Sequence, residues 1–214
     1  DDEIDGQENE VIIAGYDRFG QIVSRLLKAS GYETTLLDHD AGQIELVGRF
    51  GNKVFYGDAS RADLLEAAGA EQARVLVIAI DNRKKAVLMV ETAKQNFPHL
   101  KILARAYDRR HAYELMHAGA ECITRETFNS ALSMGGEALE MLGVAPARAE
   151  RMTQMFEEHD VAGMRKLYEV WGDDQAYGLR VRQNLADLEK VLQDDTGSEA
   201  DMDDALRDPQ PKEG

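Results

Sequence analysis

Gly15-Tyr16-Asp17-Arg18-Phe19-Gly20 combines a glycine-bounded turn with a charged pair, and a helical pattern begins directly behind it. Glycines at such spacing serve phosphate binding: the first makes a tight turn, the second lets the backbone touch a pyrophosphate, and the third allows close helix packing. Here the second glycine position holds Asp17, which puts an anionic side chain where phosphate approaches. The helix N-terminus still offers amides and positive dipole, and Arg18 is a source of compensating charge.

Three more carboxylates stand at comparable places. Asp38 ends a second apolar run, at about the twenty-residue separation expected of a carboxylate that hydrogen-bonds ribose hydroxyls. Asp58 follows Gly57 after a third run, and Asp81 follows Ile80 after a fourth. Asp58 and Asp81 each precede a helical window, so helix capping is the competing reading for both. Four sites in register favour adenosine binding. The histidines His39, His99, His111, His117 and His159 form no metal spacing, and no Ser or Cys sits in a nucleophile elbow. No catalytic or metal-binding residue is assigned.

The elements that must position these residues alternate short apolar runs with amphipathic helices, the pattern of a parallel sheet buried on both faces. Strands are predicted at Val11–Gly15, Thr34–Asp38, Lys53–Phe55, Val75–Ile80, Lys101–Ala104 and Glu121–Ile123. The first helix places Phe19, Ile22, Val23, Leu26 and Leu27 on one side and stops at Gly31; others are predicted near 41–49, 61–69, 83–96 and 109–118. Right-handed crossovers then give an α/β fold, a Rossmann-like, doubly wound, six-stranded parallel sheet over residues 11–125. Beyond it, Phe128, Ala131, Leu132, Leu139 and Leu142 mark a helix ended by Gly143. Pro146 opens another run, and Leu185, Leu188 and Leu192 a last one. These helices, within residues 126–193, have no sheet to cover. They are expected to bury their apolar faces on a second copy, as a homodimer, or in a small core of their own.

Composition sets the class. The net charge of −15 is concentrated at the ends: residues 1–10 and 194–214 each carry −6, leaving −3 for the body. The first segment reads as an acidic linker and the last as a disordered acidic tail. A chain of this charge is not expected to bind nucleic acid. No run approaches the ~18 apolar residues of a membrane helix, so the chain as it stands is expected to be soluble. The lone Cys122 implies neither a disulfide framework nor a thiolate metal site, and reads as a small buried hydrophobe in a reducing compartment.

The segments VIIAGYDRFGQIVSRLL, LLDHD, FGNKVFYGDASRADLLEAAGA and FPHLKILARAYDRRHAYELMHAGAECITRETFNSAL, in this order over residues 11–143, resemble the KTN (RCK) regulatory domain of Kef-type glutathione-gated potassium efflux systems. The resemblance implies a KTN domain on the cytoplasmic face of a bacterial inner-membrane transporter fused upstream, with an ancillary regulatory subunit as a further partner. It also implies dimerisation through the C-terminal helices, an adenine nucleotide, and sensing of glutathione or its adducts at the subunit interface. The nucleotide set so implied is Gly15, Tyr16, Asp17, Arg18, Phe19, Asp38, His39, Asp58, Ala59, Ile80, Asp81 and Arg105. The glutathione set is Arg25, Phe50, Arg125 and Asn129, two arginines suiting a tripeptide with a carboxylate at each end. Asp17 departs from the family's glycine and favours AMP over NAD(H). An NAD-dependent Rossmann oxidoreductase, or a separate KTN subunit of a potassium transporter, are the alternatives.

Overall fold

The computed structural model describes residues 10–39 and 53–205. The predicted helix near 41–49, Phe50, and nearly all of the acidic linker lie outside the described residues. Six parallel strands form one sheet in the order β3-β2-β1-β4-β5-β6. They are β1 (Val11–Ala14), β2 (Thr34–Asp38), β3 (Lys53–Tyr56), β4 (Val75–Ile78), β5 (Lys101–Ala106) and β6 (Cys122–Arg125). Between them lie α1 (Arg18–Ala29), α2 (Ala62–Ala67), α3 (Arg83–Asn96) and α4 (Arg109–Ala118). The order reverses between β1 and β4, which opens a crevice at the carboxyl ends of these neighbouring strands.

Central strands read as unbroken apolar runs because both faces are buried. Val11, Ile13, Leu36 and Val77 form a core on one face, against which Tyr16, Val23 and Leu27 pack. Ile12, Leu76 and Ile102 are in register with one another and are fully buried on the opposite face. The apolar arc expected of α1 is wider than what the sheet covers. Gly20 and Ser24 are buried, whereas Ile22 and Leu26 are 66% and 67% exposed. Cys122 is exposed, not buried, because β6 is an edge strand with alternate residues open to solvent.

The junction of β1 and α1 leaves no room for side chains. Gly15 has φ +93°, and a Cβ there would lie 2.8 Å from backbone atoms of Ala79 and Ile80. At Gly20 a Cβ would come within 1.9 Å of the Gly15 carbonyl oxygen. These two glycines bring α1 onto the sheet edge.

The chain divides between Thr127 and Phe128 into two compact units. The second holds α5 (Phe128–Met141), α6 (Pro146–Tyr168) and α7 (Asp174–Ala205). Gly143, at φ +95°, follows α5, and Pro146 opens α6 where its missing N–H costs nothing. Phe128 stacks on Phe156 at 6.4 Å between centroids. Helices α6 and α7 come close at Gly163, where a Cβ would sit 2.9 Å from the Asn184 amide nitrogen. Ala149, Gly163 and Leu167 of α6 are buried, so this unit has a small core of its own, while α5 buries no residue. Helix α7 continues to Ala205, past Asp194, where the sequence marks the start of the acidic tail; its next proline is Pro209.

Candidate functional site

A cleft of about 390 Å³ opens at the carboxyl ends of the strands and is lined by Gly15, Asp17, Leu37, Asp38, His39, Gly57, Asp58, Ala59, Ala79, Ile80, Asp81, Asn82 and Lys85. Eight of the twelve nucleotide-set residues named from the sequence therefore stand on one wall system. The other four, Tyr16, Arg18, Phe19 and Arg105, are not on its lining.

Asp17 is the N-cap of α1, with extended backbone and its Oδ1 accepting from the Phe19 N–H at 3.0 Å and the Gly20 N–H at 3.3 Å. Its Oδ2 accepts from Arg105 Nη1 at 2.7 Å. Burial alone would raise its pKa, but the Arg105 hydrogen bond and the two helix amides outweigh that and hold the carboxyl below its usual range. The amides that elsewhere in this fold meet a phosphate are here occupied by the protein's own anion.

Arg105, on β5, is 4% exposed. Besides Asp17 it donates through Nη2 to Asp81, lies with Nε 3.9 Å from Glu126 Oε2, and sits 5.5 Å over the Phe19 ring. Glu126 also accepts from Arg18, whose side chain is 80% exposed. Arg18 is therefore engaged with Glu126 rather than turned back on Asp17. Glu126 and Lys85 were not singled out in the sequence; the signals were an acidic residue directly after the last strand, and a lysine in the first turn of the helix after β4.

Asp38 Oδ2 accepts from the Tyr16 N–H at 2.7 Å, which ties the end of β2 to the turn. His39 Nδ1 lies 3.4 Å from Asp38 Oδ1. Asp58 Oδ1 accepts from the Ser60 N–H and hydroxyl at 3.1 and 2.7 Å, and its Oδ2 pairs with Lys85 Nζ at 2.9 Å. Lys85 first, and Ser60 second, pull the Asp58 carboxyl down to about 2. Neither Asp58 nor Asp81 caps a helix. Asn82 caps α3 by accepting from the Lys85 N–H at 3.0 Å, and Arg61 stands at the N-cap of α2 without a side-chain cap hydrogen bond. The cleft thus presents carboxylates suited to hydroxyl and amino donors, with Lys85 as the cation on its lining.

The glutathione-set residues lie elsewhere. Arg25 is exposed on α1 between Ile22 and Leu26, and Arg125 ends β6 half-buried. Asn129, on α5, lines an open groove between α5 and α6. Phe50 falls outside the described residues.

Replacing Arg105 by Met leaves Asp17 and the mostly buried Glu126 with less compensating charge. The expected loss is about 2–3 kcal/mol at pH 7, below the range for breaking a fully buried pair because Asp81 is 79% exposed. Asp17 has a depressed pKa, so the stability it contributes is present above its unfolded value, near 3.8, and is lost as pH falls through the lower folded value. Urea titrations of both proteins should therefore converge as the pH is taken below 4. An equal difference at pH 7 and pH 3 would contradict this account.

Residues 11–125 match the TrkA-N domain, and residues 130–208 match the potassium efflux system KefB C-terminal domain. The glutathione-regulated potassium-efflux system protein KefC of Escherichia coli O139:H28 is 44% identical over 91% of this chain, and the chain spans 31% of that protein's length. The Kef CTD of Shewanella denitrificans, solved in AMP-bound form, is 54% identical, with a TM-score of 0.70 over 76% of this chain and 99% of that one. The TrkA-N domain of the inner membrane protein ybaL from Escherichia coli shares the fold at 24% identity and a TM-score of 0.57, covering 63% of this chain and 96% of that one. A TrkA-N sheet running into a KefB-type C-terminal segment is the Kef-type KTN arrangement, and this chain belongs to the TrkA-N domain family.

Proposed function

We propose that this chain is the cytoplasmic ligand-sensing domain of a bacterial inner-membrane potassium efflux (K⁺/H⁺ antiport) system, regulatory rather than enzymatic, with the transporter fused upstream. It binds an adenine nucleotide, AMP in the first place, and is gated by glutathione or a glutathione adduct. The observation that carries the reading is the cleft, in which Asp38 is fixed by the Tyr16 amide and Asp58 by Ser60 and Lys85. The AMP-bound Shewanella domain at 54% identity supports the choice of ligand.

Asp17 sets the number of phosphates. A mononucleotide need not carry a second phosphate over the turn, whereas a dinucleotide must pass the Asp17 carboxylate and the Asp81 carboxylate on the same cleft wall. Arg25 and Arg125 are the proposed carboxylate anchors for the glutathione ligand, with Asn129 and Phe50 completing its pocket. The exposed Ile22 and Leu26 beside Arg25, and Met134, Met141 and Leu142 at 73%, 85% and 83% exposure in and just after α5, support a homodimer that covers them.

Calorimetry should show AMP binding more tightly than NADH, by a repulsion of about 1–3 kcal/mol, with Asp17→Gly narrowing the gap. Wild-type affinity for NADH at or above that for AMP would end this assignment. Arg125→Ala should weaken a glutathione adduct by roughly one to two orders of magnitude and leave AMP nearly unaffected, since losing charge-assisted hydrogen bonds costs about 1.5–3 kcal/mol. Arg25→Ala should behave likewise; an unchanged adduct titration in both would misplace the pocket. Light scattering at micromolar concentration should give a dimer mass, and a monomer with intact helical circular dichroism would count against the interface.

A further inference from the structure

The strongest unexplained arrangement is the cation at the mouth of the turn. Arg18 follows Asp17 in the chain, its side chain is 80% exposed, and it is bound to Glu126. Arg18 is the first residue of α1, directly behind the N-cap Asp17, which lies on the cleft wall. Glu126 is 11% exposed and has a second cation, the buried Arg105, at 3.9 Å. With Asp17 already on the amides of Phe19 and Gly20, a ligand phosphate finds the backbone donors of the turn taken.

We propose that the nucleotide phosphate is held by Arg18, in exchange for Glu126, so that phosphate and Glu126 compete for one guanidinium. This rests on the adenine-nucleotide reading above and adds to it a competitor and a consequence. The exchange costs little because each partner keeps compensation. Arg18 trades one anion for another at an exposed position, and Glu126 remains beside Arg105 rather than becoming an unpaired buried charge. Asp81, already 79% exposed, is the carboxylate of the network freest to turn away from an arriving phosphate. Glu126 stands two residues before the first residue of α5, so the phosphate's presence is registered where the second unit's sequence begins.

The test compares AMP with adenosine, which shares everything but the phosphate, by calorimetry on the full 214-residue chain. Glu126→Gln removes the competitor and should raise the ratio of AMP to adenosine affinity about two- to fivefold, the range of an ion pair with one partner in solvent. Arg18→Gln should abolish the advantage of AMP over adenosine, and Glu126→Gln added to it should have no further effect on AMP. An AMP-to-adenosine ratio that Glu126→Gln leaves as in the wild type overturns the exchange while the nucleotide site stands. A wild-type chain that binds neither ligand overturns the nucleotide reading itself, and the exchange with it. Should Glu126→Gln not fold, NMR of the wild-type Arg18 guanidinium decides: its resonances should shift with AMP and not with adenosine, and no shift with AMP overturns the proposal.

Discussion

The buried guanidinium of Arg105 is the constraint around which the ligand edge is arranged. A charge that is 4% exposed must be compensated where it lies, and three carboxylates from three different segments converge on it. Asp17 belongs to the turn after β1, Asp81 to the turn after β4, and Glu126 to the residue after β6. One side chain therefore fixes the relative positions of the turn, the cleft rim and the exit of the sheet. Its planar fork suits this role because its nitrogens address separate oxygens at once, which a lysine could not do. Specificity of arrangement is the better description of what such a cluster contributes, since desolvation offsets much of its Coulombic gain.

Asp17 turns a familiar phosphate-binding device inward. The helix N-terminus keeps its orphan amides and its dipole, yet the anion they meet is the N-cap carboxylate. The same substitution that removes a glycine thus stabilises the helix start and fills the cradle. Gly15 and Gly20 are retained for a separate reason, close backbone approach, and so the turn keeps its shape while its electrostatics change sign. What remains for a ligand is a cleft rich in acceptors, where hydroxyl and amino groups are better suited than a run of phosphates.

The second unit answers a different physical demand. Its helices satisfy their backbones internally and need apolar cover on one face only. Helices α6 and α7 come together at Gly163 against Asn184, while α5 leaves Met134 in the open. A helix hairpin of this kind needs no sheet.

The alternation of strands and helices, the glycine turn and the strand-end carboxylates are all legible in the amino-acid order. Each follows from local rules: apolar runs for doubly covered strands, glycine for positive φ, and an acid where a parallel strand ends. The strand order, with β1 beside β4, belongs to the structure, because the hand of each crossover leaves open which strands become neighbours. What the charges do depends on contacts between distant segments. Nothing local to Asp17, Asp81, Glu126 or Arg105 says that they meet, because up to 109 positions separate them and the sheet alone brings β1, β4, β5 and β6 to one edge. Capping rests on contacts of the same kind: Asp17 accepts from the Phe19 and Gly20 amides, and Asn82 rather than Asp81 caps α3 because one residue of phase sets which side chain reaches the helix amides. The exposure of Ile22, Leu26 and Cys122 was likewise out of reach of periodicity, which states that residues share a face and not how much of that face a neighbour covers.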